Sequence, residues 1–237
     1  MNRNYSNISY AESPFGTLSE FMSKSFGWMF AGLLVTFGVG IGAVASGLIF
    51  PIINSGLFIF TSIAELVMVF VLSARVQKLQ PSTATALFFG YAVLNGINLS
   101  SIFLVYDYGT LILAFLVGAV YFGVMAVYGN VTDRDLTGWG PKLMMGLFAL
   151  IITGFVGMLF GMSFLTTVLY SAVGLVVFML LTAYDTQKLS QMFSYYAYDG
   201  ELAEKASIYG ALTLYLDFIN IFLYVVRLLG MNSRRRN

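Results

Sequence analysis

The chain has 237 residues, of which 59% are hydrophobic and 10% are charged, against roughly 25% charged residues in an ordinary soluble domain. Its mean hydropathy of +0.84 leaves too little polar surface for a soluble globule, and its net charge of +1 excludes the broad basic surface that binds nucleic acid. The absence of cysteine and histidine excludes disulfides, thiolate nucleophiles and zinc–thiolate sites, and leaves any proton chemistry to carboxylates.

Residues 1–24 are polar and of mixed charge, and the apolar run after Lys24 is too long for the core of a signal peptide. We therefore expect a retained cytoplasmic segment over residues 1–24. Seven apolar stretches follow, each reaching or nearly reaching the ~20 residues that cross a hydrocarbon core. Lipid offers no partner to backbone polar groups, so each stretch is predicted to be a helix. The stretches cover residues 25–50, 56–74, 83–105, 110–128, 143–162, 166–184 and 206–229.

With these stretches numbered as spans 1 to 7, we predict an all-α membrane protein with a single seven-helix domain over residues 25–230 and a basic tail over residues 231–237. Lysine and arginine occur before span 1 and in the connections after spans 2, 4 and 6, but not in those after spans 1, 3 and 5. By the positive-inside rule, the N-terminus and the basic connections are cytoplasmic. Arg234, Arg235 and Arg236 oppose an external C-terminus, so span 7 either is re-entrant or has its topology fixed by the six spans before it. We favour a full crossing.

Two spans carry glycines four residues apart: Gly38 and Gly42 in span 1, and Gly157 and Gly161 in span 5. Small residues at this spacing share one helix face and predict close packing between helices. A phosphate-binding loop at Gly38 to Gly42 is excluded, because these residues lie inside an apolar span with no strand before them.

Four ionisable residues lie within spans or at their ends. Glu65 is near the middle of span 2, Arg75 is at the cytoplasmic end of that span, Asp185 is at the cytoplasmic end of span 6, and Asp217 is halfway along span 7. A charge at the centre of a span costs ~2.5 to 3.5 kcal/mol on insertion scales, so each such group needs a partner or a water-filled cavity. These four residues are therefore the first candidates for function.

Three asparagines lie at similar depth: Asn95 and Asn98 on span 3, and Asn220 on span 7. Asn95 and Asn98 are three residues apart, and so are Asp217 and Asn220, which puts each pair on one helix face. Asp217 and Asn220 would therefore present a polar patch to the interior of the bundle.

The candidates also have structural interpretations. The two residues at the cytoplasmic boundary could be solvated or headgroup-level charges, and Glu65 and Asp217 could be neutral acids that hydrogen-bond between helices. Two buried carboxylic acids close together can share a proton, so such a pair can sense protons without histidine. Asp133 and Asp135, in the connection after span 4, are interpreted as a solvated loop.

The segments LTAYDTQKL (181–189) and ALTLYLDFINIFLYVVRLLG (211–230) resemble the sixth and seventh helices of the Bax inhibitor-1 family, also called the transmembrane Bax inhibitor motif family. The segment AELVMVFVLSARVQKLQP (64–81) resembles the second helix of its bacterial members. The resemblance covers residues 25–230. It implies a bacterial inner-membrane protein in which helix 7 is central and is wrapped by the other six helices.

The resemblance also implies a pH-sensitive calcium leak without a cofactor. By residue match, Asp185 and Asp217 share hydrogen bonds and a proton and are candidate calcium ligands, Arg75 helps to latch the closed state, and Glu65 matches an acidic position. Calcium prefers oxygen ligands, and membrane lipid and calcium ions are the expected partners. Further membrane-protein partners and the oligomeric state stay open. The candidate ion pathway comprises Glu65, Asn95, Asn98, Asp185, Asp217 and Asn220.

Pairing of the two aspartates sets a condition on the helices. If span 6 ended near Tyr184, Asp217 would lie roughly 15 Å deeper than Asp185 at 1.5 Å per residue. Either span 6 continues past Asp185, toward Phe193, or span 7 starts late. We predict that span 6 continues.

Two other functions compete with a leak. An intramembrane aspartyl protease would use two aspartates to activate a water molecule. Proteases of the presenilin type carry Gly-x-Gly-Asp at the second aspartate, however, and this chain has Leu214, Tyr215 and Leu216 before Asp217. A structural or regulatory protein that binds other membrane proteins would use the carboxylates for packing. A retinal-type receptor is disfavoured because span 7 has no central lysine, so we predict a protein that is not an enzyme.

Overall fold

The computed structural model describes residues 16–75 and 78–233, and this part of the chain contains helices and turns but no strand. Seven of the described helices are long and apolar enough to cross a membrane. The chain is thus a multi-pass integral membrane protein, and the prediction of an all-α protein with seven spans is confirmed. The helices are α1 (Leu18–Ala45), α2 (Ile49–Asn54), α3 (Leu57–Arg75), α4 (Pro81–Leu99), α5 (Ile102–Val105), α6 (Tyr108–Val131), α7 (Gly140–Phe160), α8 (Phe164–Tyr196) and α9 (Gly200–Ser233).

The ends of the predicted segments fall partly outside this description. Residues 1–15, which form most of the predicted N-terminal segment, lie outside the described residues, as do residues 76–77 and residues 234–237 of the predicted basic tail.

Helix α1 begins at Leu18, earlier than the apolar stretch that starts at residue 25. The hydroxyl of Thr17 accepts a hydrogen bond from the backbone N–H of Glu20 at 3.2 Å, and the Glu20 carboxylate accepts one from the backbone N–H of Thr17 at 2.7 Å. This capping box satisfies two N–H groups that a helix start leaves unpaired. The predicted start of span 1 is too late, because the helix begins in polar sequence and hydropathy detects only its apolar part.

The first connection is also placed differently from the prediction. Helix α1 ends at Ala45 rather than at residue 50, and Gly47 follows with φ +75°. The short helix α2 then contains Pro51, and Gly56 with φ +74° precedes α3. Both glycines adopt the left-handed backbone conformation, which glycine enters without the steric cost of a Cβ.

The helices form two compact units. The first comprises the described residues up to Asp107 together with Leu189–Tyr215. The second comprises Tyr108–Lys188 and the described residues from Leu216 onward. The prediction of a single transmembrane domain stays a prediction.

The core of the first unit is built around Tyr215 of α9. Its ring packs edge-on against Phe88 and Tyr91 of α4, with centroid distances of 5.8 and 5.7 Å. Its hydroxyl lies 2.6 Å from the hydroxyl of Thr36 on α1. Helices α1 and α4 meet closely at Gly96, where a Cβ would lie 2.6 Å from the carbonyl oxygen of Thr36.

The core of the second unit joins α6, α8 and α9. Phe218 of α9 packs against Phe115 and Phe122 of α6, with centroid distances of 5.3 and 5.7 Å. Gly129 of α6 lies directly against the backbone of Ala183 on α8, so that a Cβ at Gly129 would overlap the Ala183 carbonyl group. This contact sets the spacing of α6 and α8 near the cytoplasmic end predicted for α8.

Helix α9 is the most buried of the described spanning helices. In its most apolar stretch 61% of the residues are buried, against at most 33% in any other. The central position that the resemblance implies for the last helix stays a prediction. The helix is also unbroken over its 34 residues, as a full crossing requires.

Helix α3 is the least buried spanning helix, with 6% of its most apolar stretch buried. Leu72 is its one buried residue, whereas Phe60, Val67 and Phe70 are all exposed. Most of the α3 surface therefore faces lipid. Its packing within the first unit is chiefly against α4.

The predicted packing faces at Gly38 with Gly42 and at Gly157 with Gly161 are wrong. A Cβ at Gly38 or at Gly42 would meet no described atom within 4 Å, and Gly161 lies beyond the end of α7 with φ +78°. Close approach occurs instead at Gly40, where a Cβ would lie 3.2 Å from a carbonyl oxygen of α4. Spacing identifies a small-residue face but does not identify the face that meets a neighbouring helix.

Replacing Gly129 by alanine is expected to lower the free energy of unfolding by about 1 to 3 kcal/mol, the usual cost of overpacking. The added Cβ overlaps the backbone of Ala183, so α6 and α8 must move apart. The matched control is Gly123→Ala on the same helix, where a Cβ would meet no described atom within 4 Å. Thermal unfolding in detergent compares the two variants, and an equal Tm for both would contradict the close approach.

Candidate functional site

The two aspartates that sequence analysis paired are brought together within the second unit. Helix α8 continues past Asp185 to Tyr196, so the prediction that this helix extends beyond the aspartate is confirmed. The side chains of Asp185 on α8 and Asp217 on α9 lie within hydrogen-bonding reach of each other. Because a carboxylate has no hydrogen to donate, two carboxyl groups can hydrogen-bond to each other only when one of them is protonated. The two acids therefore form a direct pair between α8 and α9.

The environment of the pair is asymmetric. Asp217 is buried, with 3% of its surface exposed, whereas Asp185 is half-buried. Thr182 lies beside Asp217, and its hydroxyl donates to the backbone carbonyl oxygen of Phe178 at 2.8 Å. Lys188 is the positive charge that acts on Asp185. The Oδ2 atom of Asp217 is buried and accepts no hydrogen bond from an N–H or hydroxyl group of the described residues. The two acids thus differ in burial and in the charge that acts on them.

Thr182 and Lys188 do not stand out in the sequence as site residues. Lys188 was assigned to the cytoplasmic connection, but it lies on α8, one turn after Asp185. Thr182 lies one turn before Asp185. The signal that could have identified both is their spacing of three residues from Asp185, because residues three apart share a helix face.

A second polar cluster lies between α3 and α4 in the first unit. Oε1 of Glu65 accepts a hydrogen bond from the Asn95 amide at 2.7 Å, and Oε2 accepts one from the Asn98 amide. The hydroxyl of Thr61 donates to the side-chain oxygen Oδ1 of Asn98 at 2.7 Å, and the Tyr91 hydroxyl accepts from the Asn95 side-chain amide at 3.2 Å. Both oxygens of the carboxyl group thus have amide donors. Tyr91 and Thr61 were not singled out from the sequence, although Tyr91 lies one turn before Asn95.

The remaining candidates are arranged differently. The Asn220 amide donates to the carbonyl oxygen of Leu216 at 2.8 Å, within its own helix. Arg75 is exposed at the last residue of α3, and its role as a latch stays a prediction. The described residues contain no cluster of three or more histidine, cysteine or acidic side chains that could hold a metal ion. The carboxyl groups of Asp185 and Asp217 therefore meet as a pair rather than as part of a larger acidic cage.

These features define a polytopic membrane protein with a pair of carboxyl groups between its last two spanning helices. The family model described as inhibitor of apoptosis-promoting Bax1 matches residues 18–234. The chain belongs to the Bax inhibitor-1 family, and the family resemblance predicted from its motifs is confirmed.

Curated relatives match over nearly the whole chain. The inner membrane protein YbhL of Escherichia coli strain K12 is 42% identical over 221 residues, which cover 92% of this chain and 94% of the relative. An uncharacterized protein of Borreliella burgdorferi is 39% identical over 226 residues, with coverage of 92% and 94%. The uncharacterized protein YrjE of Lactococcus lactis is 36% identical over 224 residues, with coverage of 93% and 94%.

Proposed function

We propose that this chain is a pH-sensitive calcium leak in a bacterial inner membrane. The observation that carries the proposal is the direct pairing of Asp185 and Asp217 between the last two spanning helices, where Asp217 is buried. An ionisable pair in spanning helices is costly, and such groups usually mark ion or proton pathways.

The proton on the pair is the proposed switch. When both acids are protonated, the pair carries no negative charge to attract a cation. When one proton is shared, the pair carries one negative charge and the hydrogen bond that joins α8 to α9. Loss of the second proton breaks that bond and leaves two like charges in contact. A change in pH therefore shifts a conformational equilibrium as well as the local charge.

Calcium is proposed as the transported ion because it takes oxygen ligands. A tight calcium site supplies six to eight oxygens, whereas the pair supplies two carboxyl groups with a hydrogen bond between them. Such a pair suits an ion that binds briefly and leaves. Glu65 is proposed as a further acid on the ion pathway, with Asn95, Asn98 and Asn220, and Arg75 as the latch of the closed state.

The proposed orientation has the basic connections in the cytoplasm, since lysine and arginine favour that side. The proposed inner-membrane location is supported by the printed name of the E. coli relative YbhL and by the bacterial type of the family resemblance. The proposal involves no enzymatic step and no cofactor.

Liposomes loaded with a calcium-sensitive dye test the proposal. Purified protein is expected to admit external calcium faster than protein-free liposomes do, and the rate is expected to change when the pH on both sides is varied. Liposomes that contain a matched seven-helix protein of another family control for leaks caused by reconstitution. Calcium entry no faster than in the control at any pH would contradict the proposal.

The second candidate function is a non-conducting protein that regulates or binds other membrane proteins. The observation that favours it is the Glu65 cluster, in which both carboxyl oxygens already accept hydrogen bonds from amides. An acid used in this way acts as a structural link between α3 and α4. An aspartyl protease is less well supported, because the residues before Asp217 lack the glycines of the presenilin-type motif.

A further inference from the structure

The second unit contains a cavity of about 170 Å³ where the end of α6 and the start of α7 meet the middle of α8. Its wall is formed by the end of α6, the connection to α7, the start of α7 and one face of α8. Leu143 of α7 and Ala183 of α8 are buried in this wall, while Arg134 and Trp139 of the connection line it and are exposed. The cavity therefore has an apolar interior and an open side that carries a cation and an aromatic ring.

The connection that forms the open side is held to α8 by Gln187. The Gln187 side-chain oxygen accepts a hydrogen bond from the backbone N–H of Leu136 at 2.8 Å. Its amide nitrogen donates to the backbone carbonyl oxygen of Arg134 at 2.9 Å. Gln187 is itself buried. These two bonds fix the backbone of the connection, so the cavity belongs to the folded structure and does not depend on a loose loop.

The residues at the open side have the chemistry of a lipid headgroup region. Lys142 lies over the Trp139 ring with its ammonium nitrogen 5.9 Å from the ring centroid. Tyr184 also lines the cavity, and Lys188 lies 5.8 Å from its ring centroid. Tryptophan and tyrosine are enriched where spanning helices meet the headgroups. Two aromatic rings of the cavity wall, those of Trp139 and Tyr184, thus each carry a lysine ammonium group.

The size of the cavity restricts what can occupy it. Pockets that enclose a whole drug-sized ligand have volumes of ~300 to 1,000 Å³, well above the volume found here. An occupant must therefore place one part of itself inside and keep the rest outside. A phospholipid does this when a section of acyl chain or glycerol backbone contacts the apolar wall and its phosphate stays at the open side.

We propose that this cavity binds an anionic phospholipid, with Arg134 and Lys142 contacting its phosphate. Two acids, Asp133 and Asp135, flank the arginine in the sequence, so a bound phosphate must compete with them for Arg134. The Asp135 carboxylate accepts a hydrogen bond from the backbone N–H of Thr137 at 2.9 Å, and Asp133 is exposed. Lys188 acts on Asp185, which leaves Arg134 and Lys142 as the cations proposed for the phosphate. The proposal concerns lipid binding and does not depend on calcium transport.

Quenching of Trp139 fluorescence tests the proposal. The chain contains two tryptophans, so Trp28→Phe leaves Trp139 as the single fluorophore. This protein is placed in nanodiscs of phosphatidylcholine that contain equal mole fractions of brominated phosphatidylglycerol or brominated phosphatidylcholine. Enrichment of the anionic lipid at Trp139 is expected to be roughly fivefold for each basic residue that contacts it, which corresponds to ~1 kcal/mol per residue near a membrane surface.

Two charge-removing variants separate a specific site from general attraction. Arg134→Gln is expected to abolish most of the preference for brominated phosphatidylglycerol, whereas Lys78→Gln, which removes an exposed charge from the connection after α3, is expected to retain it. Equal quenching by the two brominated lipids, or an equal loss in both variants, would overturn the proposal. Soluble glycerol phosphate is added as a second arm, and full relief of quenching by it would assign the site to a free phosphate compound rather than to lipid.

If Arg134→Gln folds poorly, a second variant provides the test. Lys142→Gln changes the second proposed phosphate contact at the start of α7, where the side chain is exposed. It is expected to reduce the lipid preference by a similar factor. An unchanged preference in Lys142→Gln together with a correctly folded but unchanged Arg134→Gln would also overturn the proposal.

Discussion

Replacing Asp217 by asparagine is expected to make calcium flux independent of pH. Asparagine has nearly the shape of aspartate and cannot titrate, so the pair with Asp185 can no longer share a proton. In the Asp217→Asn variant, the asparagine beside ionised Asp185 gives the pair the charge that it carries with one shared proton. The ratio of flux at about pH 6 to flux at about pH 8 should therefore fall to about one, and the flux should resemble that of the unaltered protein in its singly protonated state. Dye-loaded liposomes measure this ratio.

Asp199→Asn is the matched control for this experiment. Asp199 is an exposed acid in the connection between α8 and α9, and its carboxylate accepts a hydrogen bond from the backbone N–H of Leu202 at 3.0 Å. Asparagine caps a helix start as well as aspartate does, so the control should fold and keep its pH response. A pH response that survives in Asp217→Asn and in Asp185→Asn would remove the aspartate pair from the mechanism.

Replacing Glu65 by leucine is expected to cause the largest loss of stability at the polar cluster. The amides of Asn95 and Asn98 would lose their common acceptor, and each unpaired buried donor costs about 1 to 3 kcal/mol. Glu65→Gln should cost less, because its side-chain oxygen still accepts one of these bonds. Thermal unfolding in detergent should therefore give a lower Tm for the leucine variant than for the glutamine variant.

Ser62→Ala provides the control on the same helix. The hydroxyl of Ser62 donates to the backbone carbonyl oxygen of Phe58 within α3 at 2.9 Å, so its loss should leave the attachment of α3 to α4 unchanged. If Glu65→Leu were as stable as Ser62→Ala, the amides would not depend on the carboxylate. Calcium flux in the folded Glu65→Gln variant then distinguishes a transport role from a structural one, since only transport requires the negative charge.

The number and type of spanning helices could be predicted from the sequence because hydropathy integrates over about 20 residues at a time. Helix ends could not be predicted as well, since they depend on local groups. The Thr17 and Glu20 capping box starts α1 in polar sequence, and the left-handed Gly47 follows its end. The continuation of α8 beyond Asp185 was predictable only because the two aspartates had first been paired.

Site residues could be predicted from the sequence where the free-energy cost of an ionisable group in an apolar span identifies them. Acids inside apolar spans are expensive, so Glu65 and Asp217 stand out without a structure. Partners such as Thr182 and Tyr91 could not be identified in that way, because threonine and tyrosine enter membrane helices at little free-energy cost and are frequent there. The prediction of glycine packing faces was wrong for a related reason. Periodicity identifies the side of a helix on which small residues lie, whereas the identity of the neighbouring helix depends on the whole arrangement.

The slight burial of α3 has a consequence for how the bilayer acts on this protein. With 19 residues, α3 is the shortest of the described spanning helices, and at 1.5 Å per residue it measures about 28 Å. A hydrocarbon core of ~30 Å already matches or exceeds that length. Thicker bilayers would impose hydrophobic mismatch first on the helix that carries Glu65 and Arg75, because it has little protein packing to resist tilting or displacement. Acyl-chain length therefore becomes a physical control over this helix, separate from pH.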